Sequence, residues 1–501
     1  MMGHQPKVQK KLFYTKFNLD QRVPQNHLLR QIAGHIDFDF VYKQVRDTYG
    51  VKGNVSVPPP VILKLMLILI LYNVRSEREL MATIPMRLDW LWFLGYDLDD
   101  QIPNHSVLSK ARTRWGIEAF KHFFERIVLQ CVDAGLVDGR KLFMDSSIVQ
   151  ADASNNSVVK TESLKRYLNK SYQVLEARLE KEQSTDSKDD NRPPKSGGAN
   201  KKHISTTDPD ASVNRRGKGR SKLEYQVHRS VDSKCEIITA TQVTPGEVHE
   251  AHRMQSLIDA HEQNSGSKVE VAVADSKYGT IDNFLNCFDR GIKAHIPSLE
   301  QTQGGSGRQK GIFPRHMFIY DDARDIFICP AKQVLKKRKY YKKREHYEYT
   351  ATAKTCNSCG LREQCTRSKS GRTLKRHIRQ DELDIMLSQA ISAESKKDIN
   401  TRQHLMERSF ARSTRYGFKR ARWRRLWRVQ IQEYLSATMQ NIMVLLGTTK
   451  ETAAAEAKNK DRAGYHRAYS ALQQQFGNLK QTIAVWSNPL IWFKIVGASS
   501  K

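Results

Sequence analysis

Asp145 closes the short apolar run Lys141-Leu-Phe-Met, and Asp275 closes the β-branched run Val269-Glu-Val-Ala-Val-Ala. A carboxylate at the end of a buried strand is a hard oxygen donor held at a sheet edge. Two such groups are half of a site for Mg²⁺ or Mn²⁺, in which two ions about 3.5–4 Å apart activate an attacking oxygen and stabilise a leaving one during phosphoryl transfer. A third carboxylate is wanted. Glu407 is the candidate, because the stretch from Arg402 to Arg428 holds ten basic residues and this one acid. Each group also has a plain structural reading. An Asp after a strand is often a turn residue, a helical Glu pairs with neighbouring Arg, and Asp152 and Asp232 share the same local chemistry. It is the joint pattern that points to catalysis.

A second set of ligand-type residues is independent of the first. Cys329, Cys356, Cys359 and Cys365 form the spacing C-x26-C-x2-C-x5-C, four soft thiolates that suit a tetrahedral structural Zn²⁺. Free structural thiols are the alternative; a redox C-x2-C lacks the surrounding βαβ pattern here. Cys131, Cys235 and Cys287 read as core residues, and an odd total of seven argues against a complete disulfide framework.

The elements that must position these groups follow from the pattern along the 501 residues. Val57 to Leu80 and Ala119 to Leu136 are helical runs, and between them Ser106 is placed to cap a basic helix, Val107 to Trp115, carrying Lys110, Arg112 and Arg114. That describes an all-α N-terminal domain with a helix that either reads DNA or is simply solvated. A strand ending at Asp145, a helix over about Glu162 to Glu182, and a polar segment from Ser184 to Lys222 come next; the last reads as a flexible insertion. Leu223 to Asp232 and Cys235 to Thr244 form a hairpin, followed by a helix from His249 to Gln263, the strand ending at Asp275, a helix from about Thr280 to Asp289 and a strand at Ile292 to Pro297. Three antiparallel strands that switch to β-α-β units describe a ribonuclease-H-like α/β mixed sheet, with both aspartates at the edge where open α/β sheets place ligands.

Charge indicates the partner. Lys plus Arg number 83 against 53 Asp plus Glu, a net +30, which fits a polyanion such as nucleic acid and fits an ordinary metabolic enzyme poorly. The longest apolar run, Val61 to Tyr72, is about a dozen residues with Lys64 inside it, so it suits a buried helix and no membrane span is expected. The basic N-terminus lacks the apolar segment of a secretory signal, which gives a cytoplasmic expectation. Lys332 to Tyr349 interleaves Lys336, Lys337 and Arg338 with tyrosines: cations for phosphates and rings for exposed bases, or else a solvated hairpin. Trp423 and Trp427 read as anchors to the core, with Arg422 and Arg424 beside them able to track DNA.

In order along the chain stand Pro103-Asn-His-Ser-Val-Leu-Ser-Lys, Asp145-Ser-Ser-Ile-Val-Gln-Ala, Leu223-Glu-Tyr-Gln-Val-His-Arg-Ser-Val-Asp, Thr244-Pro-Gly-Glu, Val273-Ala-Asp-Ser-Lys-Tyr-Gly and Glu407-Arg-Ser-Phe-Ala before Gly417-Phe-Lys-Arg-Ala-Arg-Trp-Arg-Arg. With these motifs, residues from about 10 to 450 resemble bacterial insertion-sequence DDE transposases with an InsH-type N-terminal domain and a ribonuclease-H-like catalytic domain. The resemblance implies that Asp145, Asp275 and Glu407 are the metal-binding triad, that Mg²⁺ or Mn²⁺ is the cofactor, and that the chain cuts and rejoins double-stranded DNA at its own element's ends and in target DNA. It further implies a homodimer on DNA in a nucleoid-associated setting. The family's Lys or Arg about seven residues beyond the Glu is replaced by Thr414, flanked by Arg412 and Arg415; the upstream Arg is present as Arg402. The expected domains are a helical 1–136, a core 137–300 with its insertion at about 184–222, a basic zinc-ribbon-like insertion 301–383, core helices 384–447 bearing the third acid, and an extension 448–501. The competing expectation is a decayed or repurposed zinc-stabilised DNA-binding protein, and a metal-dependent nuclease that cuts without joining is a third.

Overall fold

The computed structural model describes residues 2–3, 18–51, 54–160, 203–214, 221–297 and 311–448. The helix expected over 162–182, much of the segment 184–222 and the extension beyond 448 lie outside them. Residues 1–442 form one compact unit and 443–501 another, of which 443–448 are helical.

Among the described residues, eight α-helices precede the first strand: α1 (Leu19–Arg22), α2 (Leu28–His35), α3 (Phe40–Val45), α4 (Pro59–Leu71), α5 (Glu77–Thr83), α6 (Leu88–Leu94), α7 (Ser106–Trp115) and α8 (Glu118–Asp133). The sequence PPVILKLMLILIL makes α4 apolar on every side, so it is buried nearly all round, with prolines pre-setting its first turn. Lys64 within it lies 5.4 and 5.2 Å from the rings of Phe38 and Phe93, and burial pushes its ammonium below the usual lysine range. Ser106 does not cap α7. It is the helix's first residue, and Asn104 Oδ1 accepts its N–H at 2.9 Å.

The central sheet is built from β1 (Lys141–Gln150), β4 (Ser212–Asn214), β5 (Lys222–Asp232), β6 (Ile238–Pro245), β7 (Val271–Val273) and β8 (Lys293–His295). β5 pairs antiparallel with β1, β4 and β6, whereas β7 and β8 run parallel to β1, in the order β5-β1-β7-β8. The expected alternation of an antiparallel start and parallel continuation is therefore the observed topology. The segment expected to be a flexible insertion carries ordered chain in its described part: β4 joins the sheet, and β3 (His203–Ser205) pairs with β2 (Val158–Lys160).

Helices cover both faces. On one, α9 (Met254–Ser265), α10 (Ile281–Asp289) and α13 (Gln380–Ala390) pack on Leu142, Met144 and Ala272; on the other, α8, α14 (Ala393–Thr414) and α15 (residues 426–442) pack on Phe143, Val231 and Val273. A separate antiparallel sheet runs in the order β13-β12-β11-β10-β9: β9 (Ile319–Asp321), β10 (Ile326–Ile328), β11 (Val334–Tyr341), β12 (His346–Thr350) and β13 (Thr373–His377). The short helices α11 (Ala353–Asn357) and α12 (Arg362–Cys365) lie between β12 and β13 in the chain.

β5 is buried along almost its whole length although it carries Gln226, His228 and Arg229, so its polar groups require internal partners. Arg229 is completely buried; its Nε meets Glu433 Oε1 of α15 at 2.6 Å, its Nη1 donates to Ser413 of α14 at 2.8 Å, and the rings of Phe410 and Phe418 each lie 4.8 Å from its guanidinium. Removing one partner leaves the other as an uncompensated buried charge. Arg229→Met is expected to lower the unfolding free energy by about 3–5 kcal/mol, and adding Glu433→Leu to recover most of it; urea midpoints for wild type, single and double variants check this.

Candidate active site

The carboxylates converge because of sheet register. Phe143 stands opposite Val273 on adjacent parallel strands, so Asp145 and Asp275 each lie two residues past the same rung and share its face. Asp275 also caps the 3₁₀ turn Ser276–Tyr278 by accepting the Lys277 N–H at 3.1 Å. A third acid joins them. Glu250 opens the 3₁₀ turn Glu250–Arg253 where the sequence predicted a continuous helix from His249, and ligand oxygens of Asp145, Glu250 and Asp275 all lie within 4.8 Å of one another.

The surroundings restrain this negative charge. Asp145 Oδ2 meets Arg402 Nη1 at 2.8 Å, and its Oδ1 accepts the Ser146 N–H at 2.8 Å. Gln226 Nε2 and Lys277 Nζ both donate to Glu250 Oε1 at 2.7 Å, and Gln226 also reaches Ser146 Oγ. Burial raises the Asp145 carboxyl above its ordinary pKa, and Arg402 offsets this; burial and then Glu250 raise that of Asp275, offset by Arg402 and Lys277.

Glu407 is not in the group. It sits on the exposed side of α14, where its Oε1 accepts from Gln403 Nε2 at 3.3 Å, while its neighbours Leu405 and Met406 face the sheet. The same helix delivers Arg402, the Arg upstream of the Glu motif, to Asp145. Burial is what sets the chemistry of Glu250, and nothing in Thr244-Pro-Gly-Glu-Val-His-Glu distinguishes it from Glu247 by sequence. Of the look-alike acids, Asp232 accepts from the N–H groups of Asp138, Gly139 and Lys234, and Asp152 pairs with Arg420 and Arg424. His295, Glu394 and Asp398 form another cluster of ligand atoms, but Asp398 is neutralised by Lys141 Nζ at 2.9 Å and held by His295 at 2.7 Å.

The basic residues divide sharply by environment. Lys110, Arg114, Lys336, Arg338 and Arg415 are exposed. Arg112 is not available to a phosphate: it is buried, pairs with Glu77 at 2.6 Å and stacks 3.9 Å from the Trp423 ring. Arg422 is turned inward too, donating to Val74 O and Asn73 Oδ1 beside Gly417, whose φ of +78° and missing Cβ permit that approach. Arg412 pairs with Glu236 at 2.8 Å, Arg424 with Asp152 at 3.4 Å, and Lys337 with Asp325 at 2.7 Å. Trp423 does anchor the chain, its Nε1 donating to Glu77 at 3.1 Å, but from the turn before α15 rather than from a shared helix with Trp427.

Cys329, Cys356, Cys359 and Cys365 line one pocket between the second sheet and α11 and α12. Backbone N–H groups of Gln333 and Arg372 point at the sulfurs of Cys329 and Cys356 at 3.3 and 3.5 Å. Burial raises the Cys365 thiol, Arg372 offsets this, and the other three cysteines add to it.

Residues 17–114 match the family described as "Transposase domain (DUF772)" and residues 328–446 the family described as "Transposase DDE domain". Among solved structures the chain is similar to the piggyBac transposase in its synaptic complex with hairpin DNA, at 8% identity and a TM-score of 0.34, covering 85% of this chain and 74% of that one. No curated protein matches the sequence.

Because the folded chain favours a protonated Asp275, ionisation at neutral pH costs stability, and the cost disappears as pH falls through the raised pKa. Asp275→Asn, which keeps the capping oxygen, is therefore expected to raise the melting temperature of divalent-free protein at pH 7 by about 2 °C, with the gain vanishing near pH 3.5. Thermal scans of both proteins across pH test this.

Proposed function

Since the chain is a DDE-type transposase, we propose that it binds the ends of its own element and catalyses metal-dependent DNA cleavage and strand transfer from a ribonuclease-H-like core. One observation carries this reading: two aspartates held at the ends of adjacent parallel strands, in a partly buried site where burial works against their charge. Oxygen donors alone make up the set, which fits Mg²⁺ or Mn²⁺. Such ions, when bound, supply charge neutralisation for in-line phosphoryl transfer. Asp145 and Asp275 would hold them, the motif offers Glu407 as the third acid, and Arg402 keeps Asp145 oriented. Exposed Lys110, Arg114, Lys336, Arg338 and Arg415 supply phosphate contacts, and two DNA ends call for a homodimer in the bacterial cytoplasm.

The position of Glu407 outside the carboxylate group favours a second reading, a DNA-binding protein that has lost turnover. Incubation with end-bearing DNA and Mg²⁺ or Mn²⁺ separates the two. Wild type is expected to cleave at the ends and join to target, and Asp145→Ala, Asp275→Ala and Glu407→Ala to lose cleavage by at least about 10³-fold while still binding DNA; binding without cleavage in wild type selects the second reading.

We also assign the four-cysteine pocket to a structural Zn²⁺, supported by the two N–H groups directed at its sulfurs. One zinc per chain by elemental analysis, and loss of that zinc with a lowered melting temperature in Cys359→Ser, are the expected results. A zinc-free protein whose melting is indifferent to chelator would reject the assignment.

A further inference from the structure

Glu250 is 4% exposed, and its two oxygens are treated differently. Oε1 is held by Gln226 Nε2 and Lys277 Nζ, both at 2.7 Å, whereas Oε2 is buried with no hydrogen-bond partner among the described residues. A buried carboxylate oxygen without a partner has lost its hydration with nothing in exchange, so such an atom calls for an explanation. A second orphan lies beside it. The Tyr278 hydroxyl is completely buried, has no hydrogen-bond partner among the described residues, and lies within electrostatic reach of Glu250, Asp145 and Asp275. One donor and one acceptor, both buried without partners among the described residues, thus belong to the surroundings of three carboxylates whose ligand oxygens lie within 4.8 Å of one another.

We propose that Glu250 is a resident metal ligand, presenting Oε2 to the ion held by Asp145 and Asp275, and that Tyr278 is a positioning residue whose hydroxyl donates to a ligand oxygen or to water beside the ion. The proposal rests on the metal-dependent reading above and deepens it. Gln226 and Lys277 pin one oxygen so that the other is aimed, which is how surrounding groups commonly orient a ligand. The ion then meets Asp145, Glu250 and Asp275 together before DNA is present.

Mn²⁺ titration of the full-length chain, followed by loss of the free-ion EPR signal and without DNA, tests this. Glu250→Gln is expected to weaken binding by at least about tenfold and Tyr278→Phe by about tenfold. A purely structural Glu250 would lower the melting temperature and leave Mn²⁺ affinity unmoved. Wild-type affinity in Glu250→Gln, with binding lost in Asp145→Asn, overturns the inference and leaves the two-aspartate site standing; no binding by wild type, or binding indifferent to Asp145→Asn and Asp275→Asn, overturns both. Should Glu250→Gln not fold, Glu250→Asp, which keeps the charge but withdraws the oxygen by one methylene, is expected to weaken binding to the same degree, and unchanged affinity there overturns the inference.

Discussion

The fully buried Arg229–Glu433 pair is the constraint on which the catalytic half of the molecule depends. A guanidinium within β5 is tolerable only if a carboxylate and further acceptors surround it, and the chain supplies them from α15 and from Ser413 near the end of α14. Thr241 of β6 also donates to Glu433, so two strands and two helices share one charge network. Fixing the end of α14 at Ser413 sets the helix's rotation. Leu405 and Met406 then face the sheet, and Arg402 falls over Asp145.

At the sheet edge the problem is reversed, because three acids crowd together and cations must come from elsewhere. Arg402 engages one and Lys277 another, but neither neutralises the group, and both aspartates titrate above their ordinary range. A site built from repelling groups has its ground state raised by design of the strands. Cation binding relieves that repulsion, so affinity for a hard ion and strain without it share one origin.

The sheet's topology was legible because strand lengths, the hairpin at Asp232-Ser-Lys and the β-α-β alternation are local signals, and the two aspartates because strand ends in such a sheet have a common address. Glu250 was not legible, since its role depends on being buried against residues far away in sequence. The basic helices misled in part. Arg112 and Arg422 look like DNA contacts in a charge count, yet each found an acid, a ring or a carbonyl inside the fold, and composition cannot tell a solvated guanidinium from a stacked one. Ser106 falls inside α7 as its first residue, and the side chain of Asn104, two positions earlier, accepts its N–H.

The contact in which Trp423 lies on Arg112 and donates to Glu77, with Arg422 reaching Asn73 across Gly417, has a consequence for how such a chain can change over generations. Helices that meet the rest of the protein through exposed linkers can be exchanged between lineages as interchangeable parts. Here a stacked indole, the buried Arg112 and the hydrogen bonds of Arg422 across the seam make the amino-terminal helices and the Arg-rich turn a matched set. A chimera that borrows one side alone inherits an orphaned guanidinium or an unsupported ring, so the two segments are bound to descend together.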